Sequence, residues 1–408
     1  MSWKINKSFA FFILPFFQFP LPINFSISSH FYTASKHKSK LTMSEIPSEK
    51  TEASFTQTSF EQITTLVSGE FQIEEALMEH EIPTYYLKQP QETKQAFLRC
   101  LKKLEAMNLI AFLRKQNGRV VLKVAPKPAT KPSNVLINWL LFLATIGTTF
   151  VTGYMLSIDM TDPILGGASF TIAIMAILGL HEMGHKITAD RKGIEATPPY
   201  FIPGPPPIGG FLGIGTFGAV IMQKSLPPNK DSLFDVGASG PILSFVLALI
   251  ATIIGLRFSP IFKMTGNESF LPSPLIFDLY ALFVIKLPAD YYILLHPVAF
   301  AGWVGMIVTM LNLMPAAMLD GGHVSRSLFG EKVRGVLTFL SIAALLFVSW
   351  PMAIFVLFMS MYKHPGPLDD VSSLSTSRKL LAIALVVIFV LSSFLHYFVY
   401  MLLGLLGL

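Results

Sequence analysis

The 408-residue chain has one cysteine, Cys100, and only 14% charged residues, against about 25% in an ordinary soluble protein. A single cysteine excludes an intramolecular disulfide and any cysteine-rich zinc module. Scarce charge, with 52% hydrophobic residues and a mean hydropathy of +0.56, excludes an ordinary soluble globule. Most of the charge lies before residue 132 and in short clusters between long apolar runs. A bilayer imposes that distribution, because each ion buried in hydrocarbon costs at least ~2.5 kcal/mol. Basic residues beside spans serve orientation, so the net charge of +6 does not imply a nucleic-acid partner. The expected surroundings are membrane lipid.

Residues 1–42 lack Asp and Glu, are rich in Phe, Ser and Lys, and carry the apolar stretch Phe9–Phe17. They are read either as a targeting segment or as a mis-assigned start preceding Met43. Pro15, Pro20 and Pro22 interrupt the apolar region and favour the second reading. Residues 54–126 are expected to form a small soluble α+β domain. In it Lys94–Met107 has helical periodicity, and Leu109–Leu113 and Val120–Val124 are joined through Gln116-Asn117-Gly118, a hairpin signal. A proline-marked linker, Lys127–Ser133, then leads into the apolar part.

Residues 134–403 hold runs long enough to span, at ~20 residues each. The expected spans are Asn134–Leu156, Ala168–Ile187, Val236–Leu256, Pro297–Met318, Val336–Met361 and Leu380–Leu403. Trp350-Pro351 interrupts the fifth, which is read as one kinked span because each arm of a hairpin would be too short to cross. Arg114, Lys115, Arg119, Lys123, Lys127 and Lys131 precede the first span, whereas the loop after it carries Asp159 and Asp162. The positive-inside rule therefore puts the N-terminal domain in the cytoplasm, and the membrane is the cell membrane if the source is prokaryotic. Between spans, Thr197–Gln223 is apolar and full of Pro and Gly, which fits a re-entrant β-hairpin; Ser273–Leu287 fits an interfacial helix.

His181-Glu182-Met183-Gly184-His185 matches H-E-x-x-H at the cytoplasmic end of the second expected span. On a helix, residues four apart share a face, so both imidazoles reach one metal with Glu182 beside it. Zinc favours nitrogen ligands, and a catalytic site leaves one position open. Two histidines leave the set one protein ligand short. Asp320, ending the fourth expected span in Asn312-Leu313-Met314-Pro315…Leu319-Asp320-Gly321-Gly322, is a candidate at the same depth, and His323 is its rival.

His181–His185 paired with Asn312-x-x-Pro315-x-x-x-Leu319-Asp320-Gly321 resembles the site-2 protease family of intramembrane metalloproteases, closest to its archaeal and plastid branch. Gly215-Thr216-Phe217-Gly218-Ala219 and Pro365-Gly366-Pro367-Leu368-Asp369-Asp370 are similar to further stretches of that branch. The resemblance covers about residues 54–380. It implies a polytopic α-helical membrane protein of about six transmembrane helices with a re-entrant β-hairpin and a small N-terminal α+β domain. It further implies one Zn2+ per chain on His181, His185 and Asp320, Glu182 as general base, and a transmembrane protein as substrate. Asn312 would act on substrate backbone or the oxyanion, and Phe211–Ile221 would clamp extended substrate. A PDZ domain has no room between the motifs.

The expected reaction is metal-assisted amide hydrolysis in regulated intramembrane proteolysis, with Glu182 shuttling the proton. Eight residues before Asp320, Asn312 would lie about 12 Å deeper along a continuous helix. Rival readings are a prenyl-protein-processing endopeptidase, with Glu as third ligand, a metal transporter and a catalytically silent adaptor. The spans hold essentially no acidic residues beyond Glu182 and Asp320, which argues against transport. Oligomeric state is left open.

Overall fold

The computed structural model describes residues 3–4, 57–130, 132–208, 213–265, 270–288, 290–362, 364–394 and 396, which divide into two compact units. Of residues 1–42 only Trp3 and Lys4 are described, as a two-residue strand beside Tyr291–Leu294; the rest of that segment lies outside the described residues.

One unit is α+β. Helices α1 (Gln57–Ser68) and α2 (Lys94–Glu105) accompany a four-stranded antiparallel sheet in the order 73–79, 82–87, 119–126, 109–116. Val120, Val121, Leu122 and Val124 are buried on one strand, and α2 adds Phe97, Cys100, Leu101 and Leu104. The 109–116 and 119–126 strands turn at Asn117 (φ 50°) and Gly118 (φ 85°), where both residues take the positive φ of a tight two-residue hairpin. Residues 368–372 belong to this unit. Leu113 N–H donates to the Leu368 carbonyl at 2.9 Å, and Asp370 N–H donates to the Leu113 carbonyl at 3.1 Å, extending the sheet edge. Asp369 is fully buried and accepts from the backbone N–H groups of Val371 and Ser372 at 2.9 and 3.0 Å.

The other unit is helical. Helix α3 (Val135–Ser157) starts where Asn134 accepts from Leu136 N–H, and α4 (Pro163–Arg191) where Asp162 accepts from Ile164 and Leu165 N–H, with Pro163 in the first turn. Asn229 caps α5 (Lys230–Arg257) through Ser232 N–H. These three helices are long and apolar enough to cross a membrane. Leu136, Trp139, Leu140 and Leu143 stay exposed on α3, as a lipid-facing stripe requires. Short α6 (Leu275–Tyr280) continues as a π-helical turn over Ala281–Ile285. Helix α7 (Pro297–Leu313) is buried at every residue except the half-buried Val298 and lies at the centre of the unit's main apolar cluster, with Phe170, Ile174 and Ile177 of α4 and Ala248 and Ala251 of α5. Gly255, Gly302 and Gly305 let α5 and α7 approach closely; a Cβ at Gly302 would lie 2.5 Å from Thr252 Oγ1.

Three expected boundaries change. The fourth run is helical only to Leu313, because Pro315 drives Met314 out of the helical region (ψ 132°). Asp320 therefore does not end that span; it opens the next helix, α8 (Asp320–Val348). Gly330 (φ 80°) breaks α8 internally, and the fifth run is cut at Ser349, after which Pro351 lies in the first turn of α9 (Trp350–Ser360). At 11 residues α9 is about 16 Å long, too short to cross alone. The last run forms α10 (Thr376–Ser392), and the end of its expected span lies outside the described residues.

Within 197–223, Tyr200–Pro203 pairs antiparallel with Thr216–Val220. At its tip Gly215 (φ 76°) approaches α3 so closely that a Cβ would lie 2.5 Å from the Thr148 carbonyl, while Thr148 Oγ1 donates to the Gly215 carbonyl at 2.6 Å. Phe211 and Leu212 lie outside the described residues.

Candidate active site

Three helices and one strand end build the site. The last turns of α4 supply His181, Glu182 and His185; the start of α8 supplies Asp320; α7 supplies Asn312. All five are buried, between 2% and 4% exposed. His181 Nε2 and His185 Nε2 are 3.1 Å apart, and each lies 3.3 Å from Asp320 Oδ2. Glu182 Oε1 is 3.9 Å from His181 Nε2, and its Oε2 accepts the Ile221 backbone N–H at 3.0 Å. The edge of the 200–220 hairpin thus ends on the carboxylate beside the two imidazoles.

Asp320 is held in place by the loop before it. The Ala317 N–H donates to Thr338 Oγ1 at 3.0 Å, and the Ala317 carbonyl accepts from Arg334 Nη1 at 3.0 Å. Both partners lie further along α8, so the helix that carries Asp320 also pins the turn entering it. Ala317 has φ 45°, a backbone conformation these two bonds stabilise.

The donor set fits a metal ion. His185 Nδ1 lies 2.7 Å from the Val236 carbonyl, which only accepts, so the proton sits on Nδ1 and the Nε2 lone pair is free. Asp320 Oδ2, buried between the two Nε2 atoms, has no hydrogen bond of proper geometry. Three converging donors in a dry site are an unstable arrangement without a cation among them. Among the described residues, His181, His185 and Asp320 form the group whose ligand atoms all lie within 4.8 Å of one another. His323 is not brought to it: its Nδ1 pairs with His364 Nε2 at 2.8 Å, and His364 Nδ1 accepts from Gly366 N–H at 2.9 Å.

Asn312 is not deeper than the histidines. With α7 ending at Leu313, its Nδ2 stands 3.2 Å from His181 Nε2, level with the site and without the expected separation along a continuous helix. Sequence reasoning missed the face of α5, where Val236, Gly240 and Ser244 line the two imidazoles and Gly237 packs on the Asp320 backbone; a Cβ at Gly240 would lie 2.2 Å from His185 Nε2. The signal for it is the small-residue run Gly237-Ala238-Ser239-Gly240-Pro241 inside an apolar span.

A buried histidine pair converging with one carboxylate, with a second carboxylate beside it, is the residue set of a metallopeptidase, and residues 169–356 match the model of Peptidase family M50. That match takes in a little under half of the chain, and over it the chain is similar to the site-2 protease family. It is 31% identical over 194 residues to the Arabidopsis thaliana protein named probable zinc metalloprotease EGY2, chloroplastic, covering 46% of this chain and 33% of that one. To the Arabidopsis probable zinc metalloprotease EGY1, chloroplastic, it is 26% identical over 300 residues, or 64% of this chain and 53% of the relative. The chain thus spans about a third to a half of the length of these curated relatives. No solved structure matches it significantly.

Proposed function

We propose that the chain is a zinc-dependent endopeptidase that hydrolyses peptide bonds of transmembrane protein substrates at or within the bilayer. The observation that carries this reading is the convergence of His181, His185 and Asp320 on one point, with Glu182 beside it and all four buried. His181, His185 and Asp320 would hold one zinc ion, which when bound supplies a Lewis acid that polarises the scissile carbonyl and acidifies water to a pKa near ~7. Glu182 would take the proton of the attacking water and return it to the leaving amine. Asn312, whose amide already reaches the site, would donate to the carbonyl oxygen as charge develops there. A substrate helix must unwind first, since its own hydrogen bonds shield the scissile carbonyl. Thr216–Val220 supports a role as the strand on which unwound substrate lies, because the next residue, Ile221, contacts the base.

The six-span arrangement, with the 54–126 domain and the site towards the cytoplasm, is part of the same proposal and rests on the basic residues flanking the first span. The test is metal analysis of detergent-purified chain, followed by incubation with a panel of single-span proteins. Wild type should hold one zinc per chain and cleave at least one of them; Glu182→Gln should keep the zinc and lose cleavage at least ~100-fold. Cleavage at the wild-type rate by the zinc-loaded variant would remove Glu182 from its role, and a wild type that takes up no zinc would end the reading.

A further inference from the structure

We propose that Ser244 of α5 and Thr309 of α7 are positioning residues that fix the ring of His181 as a metal ligand through a directed chain of hydroxyl protons. The proposal rests on the zinc-peptidase reading above. His181 Nδ1 lies 3.1 Å from Ser244 Oγ, Ser244 Oγ lies 2.9 Å from Thr309 Oγ1, and Thr309 Oγ1 donates to the Gly305 carbonyl at 2.8 Å. Ser244 Oγ also reaches the Pro241 carbonyl at 3.2 Å. Ser244 and Thr309 are both fully buried, so no solvent competes for these bonds.

Counting protons decides the direction. Each hydroxyl has one proton to give, and at the far ends of the network stand two backbone carbonyls, which can only accept. With a proton on His181 Nδ1, three protons serve the network: Nδ1–H to Ser244 Oγ, Ser244 O–H to Thr309 Oγ1, and Thr309 O–H to the Gly305 carbonyl. With Nδ1 bare, only two protons remain, and Ser244 must turn its own away from both oxygen partners to reach the ring. Within this hydroxyl network the first state makes one more bond; the Nε2–H of the other tautomer could donate only towards Asp320 Oδ2, across the position that the zinc reading gives to the ion. The first state also leaves the Nε2 lone pair facing His185 Nε2 and Asp320 Oδ2, as a metal ligand requires.

His185 achieves the same end with a single backbone carbonyl, that of Val236. His181 sits one helical turn earlier on α4, opposite Ser244, so the carbonyl that settles its tautomer is reached through two side chains from two helices. That makes His181 adjustable by a substitution at Thr309, one residue removed from the ring.

The experiment uses the full chain in detergent. Zinc dissociation constants from chelator competition, and melting temperatures of metal-free protein, are measured for wild type, Ser244→Ala, Thr309→Val and Thr309→Ser. Thr309→Val keeps the shape of the side chain and removes the oxygen. It and Ser244→Ala should weaken zinc about 10–100-fold, the usual effect of losing a ligand's outer partner. Thr309→Ser, which restores the hydroxyl, should bind within about threefold of wild type. Metal-free melting of Thr309→Val should match wild type, since the effect acts through the ion. Unchanged zinc affinity in Thr309→Val, failure of Thr309→Ser to rescue, or an equal loss of metal-free stability would overturn the proposal while leaving the peptidase reading intact. Absence of zinc from the wild type would take both down together.

Discussion

Gly240→Ala isolates the tertiary contribution to the metal site in one methyl group. An added Cβ would lie 2.2 Å from His185 Nε2, 2.6 Å from Cε1 and 2.7 Å from Cδ2, where real Cβ atoms essentially never come under 3.0 Å. The ring must retreat by roughly 0.8 Å at least, yet ligand distances tolerate only about 0.2 Å. Rotation offers little escape, because Nδ1 is tied to the Val236 carbonyl at 2.7 Å, on the same helix as the intruding methyl. Zinc affinity should therefore fall at least ~100-fold, at the upper end of what loss of an outer partner costs. Gly147→Ala on α3 is the control: nothing lies within 4 Å of its added Cβ, and helix propensity alone predicts a neutral or slightly stabilising change of about 0.5–1 kcal/mol. The assay is zinc content and chelator competition on detergent-purified protein, with metal-free melting to show that the variant folds. A Gly240→Ala protein that folds and binds zinc as tightly as wild type would refute the packing argument.

Asp320→Ala should lower zinc occupancy far more than His323→Ala, because His323 is engaged with His364 instead of facing the imidazole pair; the reverse ranking by metal analysis would exchange the two assignments. Cys100 should resist thiol reagents at pH 8 in the native chain and react once it is unfolded. Burial, with a smaller push from the charge of Glu70, drives its thiol up to about 12. Its raised value stabilises the fold fully below the ordinary value of 9.0, and that contribution is lost as pH rises from there towards about 12. Rapid labelling of native protein at pH 8 would contradict this. In a Cys100→Ser background, a cysteine at position 160 should react with an impermeant reagent outside intact cells and one at 120 should not; the opposite pattern would invert the topology.

The three long apolar helices are legible in the sequence because apolar length is a local property, but α4 and α5 begin at Pro163 and Lys230, ahead of the expected Ala168 and Val236, where Asp162 and Asn229 cap them. The hairpin at Asn117-Gly118 was legible for the same reason, since positive φ at two successive residues has few chemical solutions. The expected fourth and fifth runs pass through Pro315 and Ser349, close to which the helices end. Hydropathy runs through Pro315 and Pro351, and composition alone does not show that the chain turns there and begins new helices. Asn312 was misplaced for that reason: measured along an unbroken helix it is two turns from Asp320, but the turn at 314–319 brings both to His181. Segment 368–372 gave no sign that it completes a sheet edge begun at Leu113, because strand pairing over that separation leaves no periodic trace.

By itself the sequence determined the candidate donor types and the one local geometry that needs no tertiary contact: two histidines four residues apart share a helix face, with Glu182 between them. It also determined the apolar setting that makes such residues costly unless they bind something. Only the tertiary structure decided that Asp320 and not His323 meets them, that Asn312 stands beside His181, and that α5 presents Gly240, the Val236 carbonyl and Ser244 to the two imidazoles. The physical reason is that a metal site is fixed to a few tenths of an ångström by groups from separate helices. Their relative placement comes from side-chain packing among those helices, a property of contacts distant in sequence.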